Sequence, residues 1–225
     1  MKVLVFGATG MVGQGVLREC LLAPDVELVQ TVGRTSTELR DAKLREIVAA
    51  DLLDLPSYEG ELSGFDACFF CLGVSSAGMK EDAYTHLTYD LTVAIAGKLA
   101  RLNSKMTFIY VSGTGTDSSE RGRSMWARVK GRTENALLRL PFKAAYMFRP
   151  GLIVPLHGIR SKTKAYWILY TLMRPVLPLF RRAFPNQVVT TEELGRAMLI
   201  AAENGAPKAV LETHDLRALL NRQTN

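Results

Sequence analysis

Three glycines recur at intervals of three residues in the stretch GATGMVG, which contains Gly7, Gly10 and Gly13. Glycine permits a tight turn at positive φ, and its missing side chain lets another group approach the backbone closely. An amphipathic stretch over 11–22 follows directly, and the first turn of a helix presents free N–H groups and the positive end of its dipole. Together these features predict a site that binds phosphate groups.

The place of this glycine loop in the chain makes the prediction more specific. The loop follows an apolar run, KVLVF (2–6), and precedes the helical stretch. Its G-x-x-G-x-x-G spacing differs from the G-x-G-x-x-G dinucleotide fingerprint but serves the same physical needs. We therefore interpret it as the pyrophosphate site of a dinucleotide cofactor rather than as a structural turn. The predicted cofactor contacts in the loop are Gly7, Thr9, Gly10, Met11, Val12 and Gly13.

The end of the second apolar run, ELVQTV (27–32), selects among dinucleotides. An acidic residue near the end of this strand is typical of NAD sites, where it accepts hydrogen bonds from the ribose. Here the chain continues as GRTST, and no carboxylate comes before Glu38. Arg34 supplies a planar cation that suits a 2′-phosphate, and Thr35 and Ser36 are further donors. The sequence therefore favours NADP(H) over NAD(H), the alternative being a solvated loop arginine.

A third apolar run, REIVA (45–49), is followed by Asp51 and Leu52. Ligands of open α/β sheets bind beyond the carboxyl ends of the strands, so residues just past a strand are candidates for contact. We predict that Asp51 and Leu52 border the adenine pocket. A simple exit from the strand is the alternative.

Short β-branched or aromatic runs alternate with helical stretches along the chain. The predicted strands are 2–6, 27–32, 45–49, 67–71, 107–112, 144–148 and 208–212, and the predicted helices are 11–22, 84–102, 125–140, 161–173, 191–204 and 215–222. Runs that are almost entirely apolar indicate a parallel sheet covered on both faces. The alternation predicts right-handed βαβ units and hence an α/β fold with a doubly wound, Rossmann-type sheet.

Length and composition limit the number of domains and the kinds of partner. At 225 residues the chain is long enough for one well-buried core and short for two. We expect a single domain over 1–225, with roughly 152–190 forming a small helical lid on the substrate side. The net charge of +6 is moderate and spread along the chain without interleaved aromatic residues, so we predict no nucleic-acid binding.

Cysteine and histidine usage bears on compartment and metal binding. Three cysteines argue against a disulfide framework, and we therefore expect a reducing compartment, the cytoplasm. His86 and His214 stand without the spacing that metal ligands require, so we predict no metal site.

The order of several motifs along the chain resembles the short-chain dehydrogenase/reductase superfamily. More narrowly, it resembles the atypical branch that contains Tat-interacting-protein-like and small epimerase-like proteins. The motifs are GATGMVG, Arg34, CLG (71–73), the strand end YVSGTG (110–115), Lys130 and FRPG (148–151). The resemblance covers roughly the first 155 residues well. It implies an NAD(P)-binding oxidoreductase or epimerase-like protein that acts on a small carbonyl or alcohol.

The resemblance also implies roles for individual residues. Cys71, Leu72 and Gly73 would line the adenosine side and the nearby ribose, Lys130 would hydrogen-bond the nicotinamide ribose, and Pro150 and Gly151 would lie beside the nicotinamide ring. Thr114, or else Ser112, matches the position whose hydroxyl binds the substrate oxygen. The alternative for these two hydroxyls is that they satisfy backbone groups of the turn.

One residue of the superfamily's catalytic pair is replaced. The superfamily places a tyrosine four residues before the lysine, and here the stretch SMWARVKGRTENAL has Trp126 at that position. Indole N–H can donate a hydrogen bond but does not ionise near neutral pH. Tyrosine-driven proton transfer is therefore disfavoured, and water or His157 remains as a proton source. The alternative is that Trp126 belongs to an ordinary core stripe along the helix, together with Val129, Thr133, Leu137 and Leu140.

Two other functions stay open at this point. In the first, the chain is an NADPH-sensing binding module that associates with a protein partner. The second rests on the segment 161–182, which has an apolar, aromatic middle between basic ends. This segment suits a flap over the substrate pocket, and the alternatives are a homodimer contact or, through 165–180, contact with an anionic membrane. No run reaches the roughly 20 apolar residues that span a bilayer.

Overall fold

The structure is a computed structural model that describes residues 1–53, 55–159 and 187–222. The strands are β1 (Lys2–Phe6), β2 (Leu28–Gly33), β3 (Leu44–Val48), β4 (Ala67–Phe70), β5 (Thr107–Val111), β6 (Ala144–Arg149), β7 (Leu152–Val154), β8 (Val188–Thr190) and β9 (Val210–Glu212). The α-helices are α1 (Met11–Leu22), α2 (Glu81–Thr85), α3 (Leu91–Leu102), α4 (Met125–Leu137), α5 (Thr191–Asn204) and α6 (Thr213–Arg222). A 3₁₀ segment covers Leu55–Leu62, and a π-helical turn over His86–Asp90 joins α2 to α3.

Seven of the described strands form one parallel sheet in the order β3-β2-β1-β4-β5-β6-β9. The strand order reverses between β1 and β4, which makes their carboxyl ends the switch point where ligands of such sheets bind. The predicted α/β, doubly wound Rossmann-type fold is confirmed. The glycine loop follows β1 and the CLG motif follows β4, so the fold brings these two motifs to the switch point.

The two faces of the sheet bury separate halves of the core because side chains alternate along each strand. On β1, Val3 and Val5 pack with α1, α5 and α6, while Leu4 and Phe6 pack with α3 and the end of α4. These β1 side chains are fully buried. Burial on both faces explains why the strands are continuous apolar runs in the sequence.

Strands β7 and β8 pair with each other in parallel, from Leu152 with Val188 to Val154 with Thr190. The sequence patterns did not predict this pair, since each strand has only three residues and its partner lies far along the chain. The first turn of α5 then packs on α1, where a Cβ added to Gly15 would lie 2.6 Å from the Cβ of Thr191. This contact fixes α5 against the helix that follows the glycine loop.

The helix predicted at 161–173 lies outside the described residues, as does most of the predicted lid at 152–190. The segment 165–180, for which membrane contact was the alternative, also lies outside them. Among the residues that the structure describes, no helix combines the length and apolar character needed to cross a membrane.

Candidate functional site

The glycine loop is packed so closely that two of its glycines have no room for a side chain. Gly7 has a φ of 78°, and a Cβ added to it would lie 2.8 Å from the carbonyl carbon of Cys71. A Cβ on Gly13 would lie 2.1 Å from the carbonyl oxygen of Gly7. Gly10 is less constrained, with a φ of −80° and 3.3 Å between its added Cβ and the same oxygen. The glycines thus join the end of β1 to α1 on one side and to the end of β4 on the other.

The first turn of α1 is open to an anion. The first helical bond runs from the Gln14 N–H to the Gly10 carbonyl at 2.8 Å, so the N–H groups of Met11, Val12 and Gly13 have no acceptor within the helix. The N-terminal turn carries no acidic side chain, and the N-cap residue Gly10 contributes no side-chain acceptor. Unbonded N–H groups together with the positive end of a helix dipole suit a pyrophosphate.

The CLG motif faces this loop from the end of β4. The Cys71 N–H donates to the Phe6 carbonyl at 2.9 Å, which extends the β1–β4 pairing by one residue. Burial raises the pKa of the Cys71 thiol to about 12, so the thiol stays neutral at physiological pH. Leu72 packs at the edge of the core, and an added Cβ on Gly73 would meet no atom of the described chain within 4 Å. The structure therefore brings this motif together with Gly7.

Arg34 is exposed just after β2. The next residue, Thr35, contacts the glycine loop, since its hydroxyl donates to the Thr9 hydroxyl at 3.4 Å. The structure therefore places Arg34 and Thr35 on the side of the switch point where a dinucleotide's adenosine end is expected.

A carboxylate that the sequence analysis missed lies beside this loop. Glu46, on β3, pairs in register with Thr31 of β2 and accepts hydrogen bonds from the Ser36 hydroxyl at 2.9 Å and the Thr37 N–H at 2.8 Å. Burial alone would raise the pKa of Glu46, but these bonds, with a longer one from the Thr31 hydroxyl, lower it below its usual value. Glu38 is the first acidic residue after β2 along the chain. The carboxylate that contacts the loop after β2, however, belongs to Glu46. Only the strand register would have revealed it.

Asp51 and Leu52 follow β3, and their contacts are those expected of a chain that simply leaves this strand. The Asp51 carboxylate accepts the Leu53 N–H at 2.8 Å and closes a local turn. Leu52 is buried in the core beneath β1 and β4. Their contact with an adenine ring stays a prediction.

Lys130 is partly buried against the end of β5. Its Nζ donates to the Ser112 carbonyl at 2.7 Å and to the Val111 carbonyl at 3.4 Å, and it lies 5.5 Å from the centre of the Tyr110 ring. Burial lowers the pKa of Lys130 to about 8, although the nearby Glu134 carboxylate opposes this shift. The amine is therefore held in one place and changes its charge close to neutral pH.

Both candidate substrate-binding hydroxyls are engaged with the main chain. The Ser112 hydroxyl donates to the Phe148 carbonyl at 3.1 Å, and the Thr114 hydroxyl donates to the Arg149 carbonyl at 3.1 Å. Ser112 is buried, whereas Thr114 is exposed. These bonds are the ones expected if the two hydroxyls satisfy backbone groups of the turn. Each hydroxyl oxygen still has lone pairs that can accept a further hydrogen bond.

Trp126 lies over the loop that follows β5 and is only partly buried. An added Cβ on Gly115 would lie 3.4 Å from the far edge of the indole, so the ring edge lies beside this exposed glycine. The core stripe on α4 consists instead of Val129, Thr133 and Leu137, all buried. The stripe interpretation therefore holds for these three residues, while Trp126 lies on the side of α4 that carries Lys130.

Close backbone packing accounts for the conformation around Pro150 and Gly151. The Pro150 carbonyl accepts the Thr114 N–H at 2.9 Å, and the Gly151 N–H donates to the Thr213 hydroxyl at 2.8 Å. A Cβ on Gly151 would lie 2.3 Å from the Gln187 carbonyl oxygen. The structure therefore joins Pro150 to Thr114, and it gives Gly151 a structural reason to be glycine.

A buried ion pair holds α4 against the end of β6, and the sequence analysis missed it. The Arg149 guanidinium forms a bidentate ion pair with Glu134, in which Nε lies 3.0 Å from Oε1 and Nη2 is hydrogen-bonded to Oε2. Glu134 is fully buried, and its hydrogen bond to Arg149 raises the pKa of the guanidinium against the effect of burial. Arg149 also reaches Ser118 and Glu212. The pair fixes the helix one turn beyond Lys130.

His157, one of the predicted alternative proton sources, contacts α5. Its Nε2 lies 2.7 Å from a carboxylate oxygen of Glu192, and this bond lowers the pKa of Glu192. The contact that the structure gives His157 is therefore with a helix packed on α1, and no described contact joins it to Lys130 or Thr114.

Residues 3–120 match the model of the NAD dependent epimerase/dehydratase family. This range covers the sheet from β1 to β5 with the glycine loop, Arg34 and the CLG motif.

Curated relatives resemble most of the chain. "Protein FMP52-2, mitochondrial" of Scheffersomyces stipitis is 28% identical over 164 residues, which are 72% of this chain and 69% of that protein. "Protein fmp52, mitochondrial" of Emericella nidulans is 30% identical over 159 residues, 68% of this chain and 66% of the relative. "Protein HTATIP2" of Rattus norvegicus is 26% identical over 155 residues, 68% of this chain and 63% of the relative. These likenesses confirm the resemblance to an atypical short-chain dehydrogenase/reductase.

Solved structures resemble the fold at low sequence identity. The Bordetella bronchiseptica enzyme WbmF in complex with NAD+ gives a TM-score of 0.64 at 17% identity, covering 99% of this chain and 78% of that one. MoeE5 in complex with UDP-glucose and NAD gives a TM-score of 0.68 at 16% identity, covering all of this chain and 82% of that one. At this identity the likeness shows the fold.

The expected cytoplasmic location is contradicted by the FMP52 relatives, which are named as mitochondrial proteins. The prediction rested on three cysteines that form no disulfide framework. Such cysteine usage reports only that a compartment keeps thiols reduced and does not distinguish one reducing compartment from another.

Proposed function

The chain belongs to the NAD-dependent epimerase/dehydratase family, and on this premise we propose that it binds NADP(H) in preference to NAD(H) and catalyses a redox step on a small carbonyl or alcohol. The observation that carries the proposal is the cradle at the switch point, where Gly7 and Gly13 leave no space for side chains and exposed Arg34 stands beyond β2. When bound, the nicotinamide would donate or accept a hydride.

In this proposal three groups of residues each bind a different part of the cofactor. The N–H groups of Met11, Val12 and Gly13 donate to the pyrophosphate, because they have no acceptor within α1. Arg34 meets the 2′-phosphate, and its planar guanidinium can donate two parallel hydrogen bonds. The Lys130 ammonium on α4 keeps its bond to the Ser112 carbonyl and donates a second N–H to one hydroxyl of the nicotinamide ribose.

Replacing Arg34 by alanine is expected to weaken NADPH binding by about 10- to 100-fold and to change NADH binding by less than about twofold. The reason is that the guanidinium supplies charge-assisted bonds to a phosphate that only NADPH carries. Calorimetric titration of the wild-type protein and the variant with both nucleotides measures the two affinities.

The control for this experiment is Arg101→Ala. Arg101 is another exposed arginine. It lies near the carboxyl end of α3, and so near the amino ends of the strands, away from the switch point. It should leave both affinities unchanged. If folded wild-type protein binds NADH as tightly as NADPH, the preference for NADP(H) is wrong; if it binds neither, the proposal as a whole fails.

For the redox step we propose that Lys130 also exchanges the proton that accompanies hydride transfer. The indole of Trp126 does not ionise near neutral pH, whereas Lys130 has a pKa of about 8. In carbonyl reduction the ammonium would give a proton to the substrate oxygen and regain one from water. The exposed Thr114 hydroxyl would orient that oxygen.

NADPH affinity is expected to fall about 3- to 10-fold as the pH rises from about 7 to about 9.5, because the amine loses its charge and one donor. The change should be centred near pH 8, the pKa of Lys130. Titration of NADPH at a series of pH values measures it, and the dependence should vanish in Lys130→Met.

The contribution of Lys130 to stability does not explain such a loss of affinity, because that contribution has the opposite sign. Its pKa is about 8 in the folded chain and 10.5 ordinarily, so the unfolded chain binds more protons between these values. This residue therefore makes the free energy of unfolding rise with pH through that window. A wild-type affinity that stays constant across pH 8 would contradict the proposed contact between Lys130 and the cofactor.

A second candidate function, an NADPH-sensing module, is favoured by Trp126. The family resemblance places the proton-donating tyrosine at position 126, where this chain has an indole whose edge lies beside Gly115. The Ser112 and Thr114 hydroxyls already donate to main-chain carbonyls. A panel of small aldehydes and ketones with NADPH separates the two functions. Turnover that is lost in Lys130→Ala supports the enzyme. No turnover, together with a higher melting temperature in NADPH, supports the sensor.

A further inference from the structure

We propose that Glu46 is a positioning residue that sets the preference for NADPH over NADH by fixing the loop that carries Arg34. The proposal rests on the proposed NADP(H) binding and assigns part of that specificity to a side chain on a neighbouring strand. Glu46 itself makes no contact with the cofactor in this proposal.

The geometry shows how one carboxylate closes the loop after β2. One oxygen of Glu46 accepts the Ser36 hydroxyl at 2.9 Å, and the other accepts the Thr37 N–H at 2.8 Å and the Thr31 hydroxyl at 3.3 Å. Thr31 is on β2 itself, whereas Ser36 and Thr37 follow the strand. The carboxylate therefore spans the turn that contains Arg34 and Thr35 and ties its far end back to the strand.

The loop has little else to hold it in place. Among the described residues, Arg34 shows no ion pair, and the contact of Thr35 with the Thr9 hydroxyl is long at 3.4 Å. The Ser36 hydroxyl receives the Glu38 N–H at 3.0 Å, and Glu38 adopts a φ of 61°, so the chain turns sharply directly beyond Ser36. The near end of the turn is held by the Gly33 carbonyl, which accepts the Ala49 N–H at 2.9 Å. Beyond Arg34, the bonds from Ser36 and Thr37 to Glu46 are the shortest described ties between this turn and the sheet.

The charge on Glu46 matters because an ionised carboxylate only accepts hydrogen bonds. The bonds from Thr37, Ser36 and Thr31 lower its pKa despite partial burial, which keeps it ionised at neutral pH. Glutamine keeps the shape, and its oxygen can still accept the Thr37 N–H, but its amide nitrogen can only donate to the Ser36 hydroxyl. The charge-assisted bond that Ser36 donates to the carboxylate is therefore replaced by a weaker neutral one. A loosened loop must be ordered again when a phosphate binds, which weakens NADPH more than NADH.

Glu46→Gln is therefore expected to weaken NADPH binding about 5- to 10-fold and to leave NADH binding within about twofold, so that the ratio of the two affinities falls. Calorimetry with NADPH and NADH provides the readout, since a general loss of stability would weaken both nucleotides alike. Ser36→Ala should produce part of the same fall. The effects of the two changes should add to less than their sum in the double variant, because both changes act on the same contact between Ser36 and residue 46.

Two further variants keep the result decisive. Glu203→Gln makes the same chemical change at an exposed position near the end of α5 and should not alter either affinity. Glu46→Asp retains two accepting oxygens on a shorter side chain and should restore part of the preference.

Each outcome decides between the proposals. If the wild-type protein prefers NADPH and Glu46→Gln keeps that ratio, Glu46 has no positioning role and only this inference falls. A rise in NADPH affinity in Glu46→Gln would show that the carboxylate repels the 2′-phosphate, which also overturns it. If the wild-type protein shows no preference, both the proposed specificity and this inference are wrong.

Discussion

Replacing Glu134 by alanine is expected to lower the free energy of unfolding by about 3 to 5 kcal/mol. Glu134 is fully buried, and the Arg149 side chain that it binds is only 11% exposed. Alanine would leave the guanidinium without its close partner, since the remaining carboxylate, Glu212, lies 3.4 Å away and is itself one-third exposed. Urea denaturation followed by circular dichroism measures the loss.

The size of this effect comes from an uncompensated charge, which a second variant can test. Glu134→Leu combined with Arg149→Met removes both charges and keeps similar volume, so we expect it to recover most of the lost stability. As a matched control, Glu59→Ala breaks the more exposed Lys98–Glu59 pair, whose atoms lie 3.0 Å apart, and should cost less than about 1 kcal/mol. A loss below about 1 kcal/mol in Glu134→Ala would mean that the buried pair does not hold α4 in place.

The sequence predicted the fold well where burial and periodicity were strong. The predicted bounds of β1, α1 and α5 agree with the structure residue for residue, because each is a long, regular pattern with a clear boundary. Strands β7 and β8 escaped prediction, since three residues carry no measurable alternation and their pairing is not local. The alternation of strands and helices and the handedness rule predicted a doubly wound sheet, whereas the order of its strands came from the structure.

The candidate site was predictable only where its residues are neighbours in the sequence. The glycine loop, Arg34 and the Trp126–Lys130 spacing are local patterns, and the structure brings the loop and the CLG motif to one switch point. Contacts across the sheet were not predictable. Glu46 reaches the loop after β2 through strand register, and Arg149 meets Glu134 because β6 ends beside α4.

The glycines of the loop look equivalent in the sequence, but the structure gives them different degrees of constraint. Gly7 combines positive φ with close contact to β4, and Gly13 packs on the Gly7 carbonyl. Gly10 has a φ of −80° that any residue can adopt. The three positions therefore make a graded test of whether close packing in the loop is what binds the cofactor.

Gly13→Ala is expected to weaken NADPH and NADH binding alike, by more than about tenfold, and to lower the free energy of unfolding by about 1 to 3 kcal/mol. Its Cβ would lie 2.1 Å from the Gly7 carbonyl oxygen and 2.8 Å from the Cα of Ala8, both of them main-chain atoms. The loop must therefore move away from α1, which displaces the N–H groups that face the pyrophosphate. Calorimetry on protein shown to be folded by circular dichroism measures both affinities.

Gly97→Ala and Gly10→Ala complete this series. Gly97 lies in α3 with open space around an added Cβ, so alanine should leave cofactor affinity unchanged and raise stability by about 0.5 to 1 kcal/mol. Gly10→Ala, with its Cβ 3.3 Å from the Gly7 carbonyl oxygen, should fall between the two. The loss in Gly13→Ala must extend to NADH, because the pyrophosphate is common to both nucleotides. A loss confined to NADPH, or wild-type affinity in Gly13→Ala, would show that the cofactor's phosphates do not bind at the start of α1.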